Sequence, residues 1–282
     1  MAVWIDGKAL AAGIKAQVRE EAAALPLRPV LAVVLVGEDP ASQIYVRGKE
    51  RDCAECGIKS IVHRLPASAA QAELLSILAG LNGDAGTDGI LVQLPLPRGL
   101  DQRQILEAIR PDKDVDCFHP LNVGKMTLGR EGFRPCTPAG VMEMLKAYDI
   151  PVQGKRCAVI GRSSLVGQPL ASLLTQADGT VTLCHSRTEN LAEHTRQADI
   201  LVSAVGRPGL VTGDMVKEGA AVIDVAINRG EDGKLRGDVD FEAVEKKAAF
   251  ITPVPGGVGP MTRAMLMRSV LYAARLHQGQ AV

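Results

Sequence analysis

Aromatic residues are scarce in this sequence, and neither sign of charge is in excess. Phe, Trp and Tyr make up 3% of the 282 residues, which argues against a base-stacking surface or a carbohydrate platform. Lys and Arg together number 32, and Asp and Glu also number 32, so the chain lacks the basic bias of proteins that bind nucleic acids or anionic membranes. We therefore expect no nucleic-acid partner and no membrane partner.

Long hydrophobic runs and a leader pattern are also absent. The longest apolar stretch, residues 30–36, is far shorter than the roughly 20 residues of a membrane span. The first ten residues contain Asp6 and no charged-then-apolar leader, so we expect no signal peptide. Six cysteines in the whole chain fit reduced thiols better than a disulfide framework, which favours a cytoplasmic location.

One cysteine pair has a spacing that also occurs in metal and redox sites. Cys53 and Cys56 form a C-x-x-C, but the chain has no second pair with zinc-ligand spacing. A redox pair is expected where a strand meets the start of a helix, whereas this pair lies late in a predicted helix. We interpret both thiols as core packing and predict no metal site.

Hydrophobic periodicity predicts two α/β series, and 46% hydrophobic residues are enough for a sizeable core. The first series is predicted as helix 6–25, strand 30–36, helix 39–56, strand 58–65, helix 68–81, strand 89–94 and helix 101–109. Residues 111–138, rich in Pro, Gly and Asp, are predicted to link two lobes. The second series is predicted as helix 139–148, strand 156–160, helix 166–176, strand 180–184, helix 189–197, strands 200–205 and 221–226, and helix 262–276. Alternation of this kind is typical of parallel, doubly wound sheets, and we expect a cleft between the lobes.

The second series contains a pattern that is typical of nucleotide-binding sites. Strand 156–160 runs into Gly161-Arg162-Ser163 and then a helix, an arrangement whose free backbone N–H groups and helix dipole suit a phosphate. The spacing is not G-x-G-x-x-G, so an ordinary tight strand–helix turn stays an alternative. The next strand ends at His185-Ser186-Arg187, where an enzyme using NAD usually has an acid. This favours NADP as the cofactor, unless Arg187 is merely a solvated residue at the start of a helix.

The first series carries candidate catalytic side chains. Tyr45 and Lys49 lie four residues apart on one face of a predicted helix. Lys49 is either a snorkelling surface residue or a desolvated amine with a lowered pKa. Gln93 lies at the end of a predicted strand, where ligands bind in open α/β sheets. In the acidic run 112–116 (DKDVD), we interpret the first two aspartates as a solvated loop and place Asp116 at a turn that can face the cleft.

Taken together, these motifs resemble the bifunctional methylenetetrahydrofolate dehydrogenase/methenyltetrahydrofolate cyclohydrolase family. The resemblance rests on Y-x-x-x-K at residues 45–49, VQLPLP at 92–97, DKDVD at 112–116, PCTP at 135–138, GRS at 161–163, HSRT at 185–188 and PVPGGVGPMT at 253–262. It covers nearly the whole chain in order, and the last motif is highly specific. The family usually has Gly after the final Asp of the acidic run, where this chain has Cys117; a positive φ there would strain a cysteine.

The resemblance implies an N-terminal three-layer α/β folate-binding catalytic domain over residues 1–120 and a Rossmann-like NADP-binding domain over 121–261. It further implies that the C-terminal helix 262–282 packs back on the first lobe and that the protein is a homodimer. The implied catalytic residues are Lys49, Gln93, Tyr45 and Asp116. The implied folate-binding residues are these four with Val92, Leu94, Pro255, Gly256, Gly257 and Val258. The implied NADP-binding residues are Gly161, Arg162, Ser163, Ser186, Arg187 and Ile227.

The resemblance also implies how these residues act. Gln93 hydrogen-bonds Lys49, Lys49 carries protons in hydrolysis of the methenyl cation, Tyr45 orients the folate, and Asp116 accepts hydrogen bonds from the pterin. Two other functions stay open. One is a different two-lobed NADP dehydrogenase acting on shikimate-like hydroxy acids, in which Lys49 and Asp116 would move the alcohol proton. The other is a nucleotide-sensing module that binds without turnover.

Overall fold

The chain folds into two compact units in a computed structural model that describes residues 1–230 and 232–281. The three-stranded unit comprises Ala12–Arg134 and Arg263–Val282, and the six-stranded unit comprises Met1–Ala11 and Pro135–Thr262. Each unit has a parallel sheet, which confirms the predicted α/β class with two lobes. The bounds of the units differ from the predicted division at residues 120 and 261. Met1–Ala11 belongs with the second series because its short strand pairs there.

The elements follow the predicted alternation with short additions. The strands are β1 (Val3–Trp4), β2 (Val30–Val36), β3 (Lys59–Leu65), β4 (Gly89–Val92), β5 (Arg156–Ile160), β6 (Thr180–Cys184), β7 (Ile200–Ser203), β8 (Ala221–Asp224), β9 (Asn228–Arg229), β10 (Leu235–Arg236) and β11 (Phe250–Ile251). The helices are α1 (Gly7–Ala23), α2 (Pro40–Glu55), α3 (Gln71–Gly83), α4 (Gln102–Glu107), α5 (Pro120–Thr127), α6 (Cys136–Ala147), α7 (Gly167–Gln176), α8 (Leu191–Thr195), α9 (Phe241–Glu245) and α10 (Val258–His277).

The three-stranded unit is built around β2. This strand lies between β3 and β4, pairs with both in parallel, and is buried at every residue. A central parallel strand covered on both faces needs an unbroken apolar run, which residues 30–36 supply. Its packing partners include the fully buried Leu74 and Leu78 of α3 and Ile105 of α4.

Helix α2 begins and ends as its sequence predicts. The Asp39 carboxylate accepts a hydrogen bond from the Ser42 N–H at 2.7 Å, and Pro40 occupies the first helical position. Cys53 and Cys56 lie at the other end with no exposed area, and burial raises the pKa of each thiol to about 12. Thiols that stay protonated at neutral pH are poor metal ligands and poor nucleophiles, so the interpretation as core packing is confirmed.

Helix α10 packs on the three-stranded unit from Arg263 onwards, which confirms the placement predicted for the C-terminal helix. Arg275 forms an ion pair with Glu21 of α1 at 3.0 Å. The Gln278 side chain pairs with both backbone groups of Leu27, accepting at 3.1 Å and donating at 3.0 Å. The helix starts at Val258, four residues before the predicted start, because Val258-Gly259-Pro260 forms its first turn and not a loop.

The six-stranded sheet has the order β1-β11-β8-β7-β5-β6, and every neighbouring pair is parallel. Strands β5 and β6 have the predicted bounds, whereas β7 and β8 each end two residues early. The sequence did not predict β1, β11, the β9–β10 hairpin, α5 or α9. Of the helices described, none is both long enough and apolar enough to cross a membrane.

Candidate active site

Lys49 and Gln93 are joined by a hydrogen bond in the three-stranded unit. The Lys49 Nζ donates to Gln93 Oε1 at 3.0 Å, across 44 residues of sequence. Gln93 follows β4 directly and is 9% exposed, and its backbone N–H continues the pairing with β2 by donating to Val34 O at 2.8 Å. The Gln93 Nε2 donates to Leu94 O at 2.6 Å, so the amide oxygen has one fixed direction, towards the lysine. The predicted contact is therefore present, and its catalytic role stays a prediction.

Tyr45 lies one turn before Lys49 on α2 and remains 40% exposed. Burial of part of the side chain raises the pKa of the Tyr45 phenol, and the nearby Arg263 guanidinium opposes that rise. Arg263 crosses α2 at Gly48, where a Cβ would overlap its guanidinium, and its Nε lies 3.1 Å from Asp52 Oδ2. The face of α2 that bears Tyr45 is thus exposed to a ligand and lies beside a fixed cation.

Asp114 is buried, contrary to its interpretation as part of a solvated loop. It is 2% exposed, and its carboxylate accepts hydrogen bonds from Phe118 N–H, His119 N–H and the Asn122 amide at 2.9–3.1 Å. Burial raises the pKa of Asp114, and these hydrogen bonds counteract the rise. Asp112, by contrast, is partly exposed and pairs with Arg110 at 2.6 Å, as expected for a surface acid.

Lys113 is also buried and anchors the acidic run to the end of α3. Its Nζ donates to Leu81 O at 2.9 Å and to Asp84 O at 2.6 Å. Desolvation lowers the pKa of the amine. Val115, two residues after Lys113, packs against Gly89, where an added Cβ would lie 2.6 Å from Val115 Cγ1. Three successive buried residues therefore fix the backbone that presents Asp116, which is itself half-buried.

Cys117, which stands where the family usually has Gly, adopts a positive φ. Its φ is 59°, in the left-handed region, and its side chain has no exposed area. The Sγ donates to Phe133 O at 3.3 Å. A residue with a Cβ is strained in this conformation, and the buried thiol packing offsets that strain.

In the six-stranded unit, the turn after β5 is closed by two glycines. Gly161 has φ 114°, and a Cβ there would lie 2.5 Å from Ala204 O. A Cβ on Gly167, the first residue of α7, would overlap Gly161 O. The Ser163 Oγ accepts from the Val166 and Gly167 N–H groups at 3.2 and 3.4 Å. Only glycine lets the helix start come this close to the strand end, which is the geometry of a phosphate-binding turn.

The other predicted cofactor residues lie at the same sheet edge. Strands β5 and β6 pair with Ile160 opposite Cys184, so Arg162 and Ser186 each follow by two residues. Ser186 and Arg187 are exposed, and the Arg187 N–H donates to His185 Nδ1 at 3.1 Å, which fixes the turn. Ile227, 41% exposed, follows β8. Residues 161–163 and 185–188 include two arginines and no acid, which fits a cofactor that carries a 2′-phosphate.

The predicted folate loop is partly the start of a helix. The Val254–Pro255 peptide is cis, Gly256 has φ 113°, and the Gly257 N–H donates to Pro253 O at 2.9 Å. Val258 begins α10 and is 3% exposed, so its side chain is core, and its contact with folate stays a prediction. Within residues 1–230 and 232–281, no group of three or more His, Cys, Asp or Glu side chains is arranged to hold a metal ion.

The sequence patterns did not single out Ser42. It lies in the first turn of α2, three residues before Tyr45, and is 3% exposed. Within the part of the chain that the structure describes, its Oγ has no hydrogen-bond partner. A buried hydroxyl without a partner is costly, and it makes the first turn of α2 a polar position in the core, one turn ahead of Tyr45. A serine one turn ahead of Tyr45 was the available signal.

Two family models match the chain in the same order as the two motif groups. The catalytic domain of tetrahydrofolate dehydrogenase/cyclohydrolase matches residues 5–116, and the NAD(P)-binding domain of the same family matches residues 135–278. Among curated relatives, the bifunctional protein FolD of Desulfovibrio desulfuricans is 58% identical over 279 residues, covering 96% of this chain and 98% of the relative. FolD of Moorella thermoacetica is 56% identical over 274 residues, with the same coverage.

Solved structures agree with these matches. The bifunctional FolD dehydrogenase/cyclohydrolase of Campylobacter jejuni superposes with a TM-score of 0.96 at 51% identity, over 98% of this chain and 99% of that one. The Trypanosoma brucei enzyme, solved with NADP and an inhibitor, gives 0.94 at 42% identity, covering 98% of each chain. A shikimate dehydrogenase from Peptoclostridium difficile gives only 0.51 at 15% identity, a likeness of fold alone. The chain therefore belongs to the tetrahydrofolate dehydrogenase/cyclohydrolase family.

Proposed function

We propose that this protein oxidises 5,10-methylenetetrahydrofolate to 5,10-methenyltetrahydrofolate with NADP and then hydrolyses the product to 10-formyltetrahydrofolate, two steps of one-carbon metabolism. The observation that carries this proposal is the Lys49–Gln93 hydrogen bond in a chain that matches both domains of the family. The dehydrogenase step needs a cofactor site, and the hydrolytic step needs a group that moves protons. The chain has candidates for both.

The dehydrogenase step needs no acid or base catalysis from the side chains. The reacting carbon lies between two nitrogens, so loss of hydride leaves a cation that both nitrogens stabilise, and no general base is needed. NADP, when bound, supplies the hydride acceptor. Gly161 and Ser163 would hold its pyrophosphate at the start of α7, and Arg162 and Arg187 would hold the 2′-phosphate. These residues contribute binding and orientation to the step.

Hydrolysis of the methenyl cation requires proton transfer at two places. Water adds to the methenyl carbon and loses a proton, and a ring nitrogen takes up a proton as its bond to that carbon breaks. We assign this transfer to Lys49 Nζ, on a half-buried side chain one turn after Tyr45 on α2. Gln93 Oε1 can only accept a hydrogen bond, so it orients the Lys49 Nζ without competing for the proton.

Asp116 and Tyr45 would bind the folate. A carboxylate accepts two parallel hydrogen bonds, which matches the adjacent amino and ring N–H donors of a pterin. The buried anchors Lys113 and Asp114 hold the backbone before Asp116, and Cys117 holds the backbone after it. Val92 and Leu94 are proposed to complete the folate-binding residues of the three-stranded unit, and the folate contacts of residues 255–258 stay a prediction.

We further propose that the protein is a cytoplasmic homodimer. The six cysteines are all free and buried, which suits a reducing compartment. The dimer is proposed through the six-stranded unit, by the resemblance to the family. Light scattering coupled to gel filtration gives the mass in solution: twice the chain mass is expected, and a monomer at micromolar concentration would contradict the proposal.

The wild-type protein tests the proposed function directly. Methylenetetrahydrofolate is supplied with NADP or NAD in parallel, and formation of NADPH or NADH is followed by absorbance. Methenyltetrahydrofolate is supplied separately, without cofactor, to follow hydrolysis. We expect both activities and a preference for NADP. Turnover of shikimate without turnover of folate would show a different dehydrogenase, and NADPH binding in calorimetry without any turnover would show a binding module.

A further inference from the structure

The loop that leaves β7 is held in place by a buried carboxylate from a distant part of the chain. Asp238 follows β10 and has no exposed area. We propose that Asp238 is a positioning residue of the NADP site: its carboxylate shapes the cofactor edge of the sheet without touching the cofactor. This inference rests on the proposed NADP-dependent function, and it assigns the role to a residue outside the predicted motifs.

Both oxygens of this carboxylate are used for binding the protein's own groups. The donors and distances are Ser203 Oγ at 2.8 Å, Val205 N at 2.9 Å, Gly206 N at 3.3 Å, Arg207 N at 2.5 Å and Asn228 Nδ2 at 3.3 Å. Three of these donors are successive backbone N–H groups, which form the concave anion-binding arrangement that phosphates occupy elsewhere. Here an internal anion fills it. The loop therefore needs no ligand to keep its shape.

The loop held by Asp238 packs against the phosphate-binding turn at Gly161. Ala204 O is the atom that a Cβ on Gly161 would approach to 2.5 Å, and Val205 Cγ1 would lie 3.1 Å away. A shift of this loop by a few tenths of an ångström would therefore change the space available to the Gly161 turn. The glycine and the carboxylate therefore lie against the same short segment, residues 204–207.

Asp238 also holds the segment after β8. Its contact there is Asn228, the residue after Ile227, which is one of the predicted cofactor residues. Strands β5, β7 and β8 are neighbours in the sheet, so the segments that leave their carboxyl ends meet at one edge. One carboxylate thus links the loop after β7 to the segment after β8 and, through Ala204, supports the turn after β5. An edge fixed in this way before binding lowers the ordering cost of taking up the cofactor.

The test uses Asp238→Asn, which keeps the shape of the side chain but turns one acceptor into a donor facing N–H groups. Asp240→Asn is the matched control, because Asp240 is an exposed acid two residues away that caps α9. We expect Asp238→Asn to raise the Kd and KM for NADP about tenfold, the effect of losing one charge-assisted hydrogen bond. Hydrolysis of methenyltetrahydrofolate needs no cofactor and should stay at the wild-type level. The control should match the wild type in both activities.

Two results would overturn the inference. One is an unchanged Kd for NADP in a folded Asp238→Asn protein. The other is an equal loss of both activities with KM unchanged, which indicates a purely structural role. If that variant does not fold, Ser203→Ala carries the test, since it removes one donor to the carboxylate; we expect Kd to rise about threefold, and no rise contradicts the inference. Failure of the proposed function itself is recognised separately, as absence of NADP binding in the wild type.

Discussion

Cys117 gives a sharp test of how the Asp116 turn is built, because two opposing effects meet at one buried residue. Its backbone lies in the left-handed region at φ 59°, and its thiol is fully buried against Phe133 O. We compare Cys117→Ala, which removes the sulfur and keeps the strained Cβ, with Cys117→Gly, which removes both.

The magnitudes decide the order of stability. Loss of the buried sulfur should lower the free energy of unfolding by about 1–2 kcal/mol in both variants. Going on from Ala to Gly loses about 0.8 kcal/mol of methyl burial and about 0.4–1 kcal/mol through the more flexible unfolded chain. The same step gains about 1–2 kcal/mol by relieving the left-handed strain. These contributions nearly cancel, so the two variants should be equal in stability within about 0.5 kcal/mol.

Urea unfolding of the three proteins measures these differences, provided that the dependence on urea concentration is the same for each. At an ordinary backbone conformation the glycine variant would be about 1.5 kcal/mol less stable than the alanine variant. A gap of that size would refute the reasoning, because it would mean that Cys117 carries no strain. The KM for methenyltetrahydrofolate supplies a second readout: Cys117→Gly should leave it unchanged, since glycine adopts the same φ freely.

Three further predictions concern the six-stranded unit. Gly161→Ala should abolish NADP binding in calorimetry while hydrolysis continues, because the new Cβ would lie 2.5 Å from a backbone oxygen; normal affinity would show that the turn can move. Arg162→Ala should raise the KM for NADP about tenfold and leave that for NAD unchanged, and an equal rise for both would exclude a role at the 2′-phosphate. Burial raises the pKa of Asp224 from its ordinary value of 3.8 to about 6. The protonated carboxyl therefore contributes at most about 3 kcal/mol to the free energy of unfolding below pH 3.8, and this contribution is lost as the pH rises through 6. Asp224→Asn should remove this part of the pH dependence in urea unfolding, and an unchanged profile would mean that another group causes it.

The regular core of both sheets could be predicted because its signals are local. Residues 30–36 form an unbroken apolar run, and the structure starts and ends β2 at those residues. Asp39 and Pro40 marked the start of α2 correctly. Strands β1 and β11 have two residues each and form through pairing with distant segments, β1 with β11 and β11 with β8, so no periodicity revealed them.

The candidate site was predictable where a motif carries the chemistry and not where burial decides the role. Lys49 and Gln93 were singled out from helix spacing and a strand end. Asp114, by contrast, looks like any acid in a charged loop, and only the fold shows that three donors surround it. Asp238 is similar, because its five partners come from segments 10–35 residues away in the chain.

The central claim is that Lys49 moves the protons of the hydrolytic step and takes no part in hydride transfer. The most direct measurement follows both activities in Lys49→Met, with the NADP affinity as a check that the six-stranded unit is intact. We predict that hydrolysis falls at least a hundredfold, the usual contribution of a positioned proton-transfer group, while NADP is still reduced and methenyltetrahydrofolate accumulates. Hydrolysis at the wild-type rate by this variant would contradict the account.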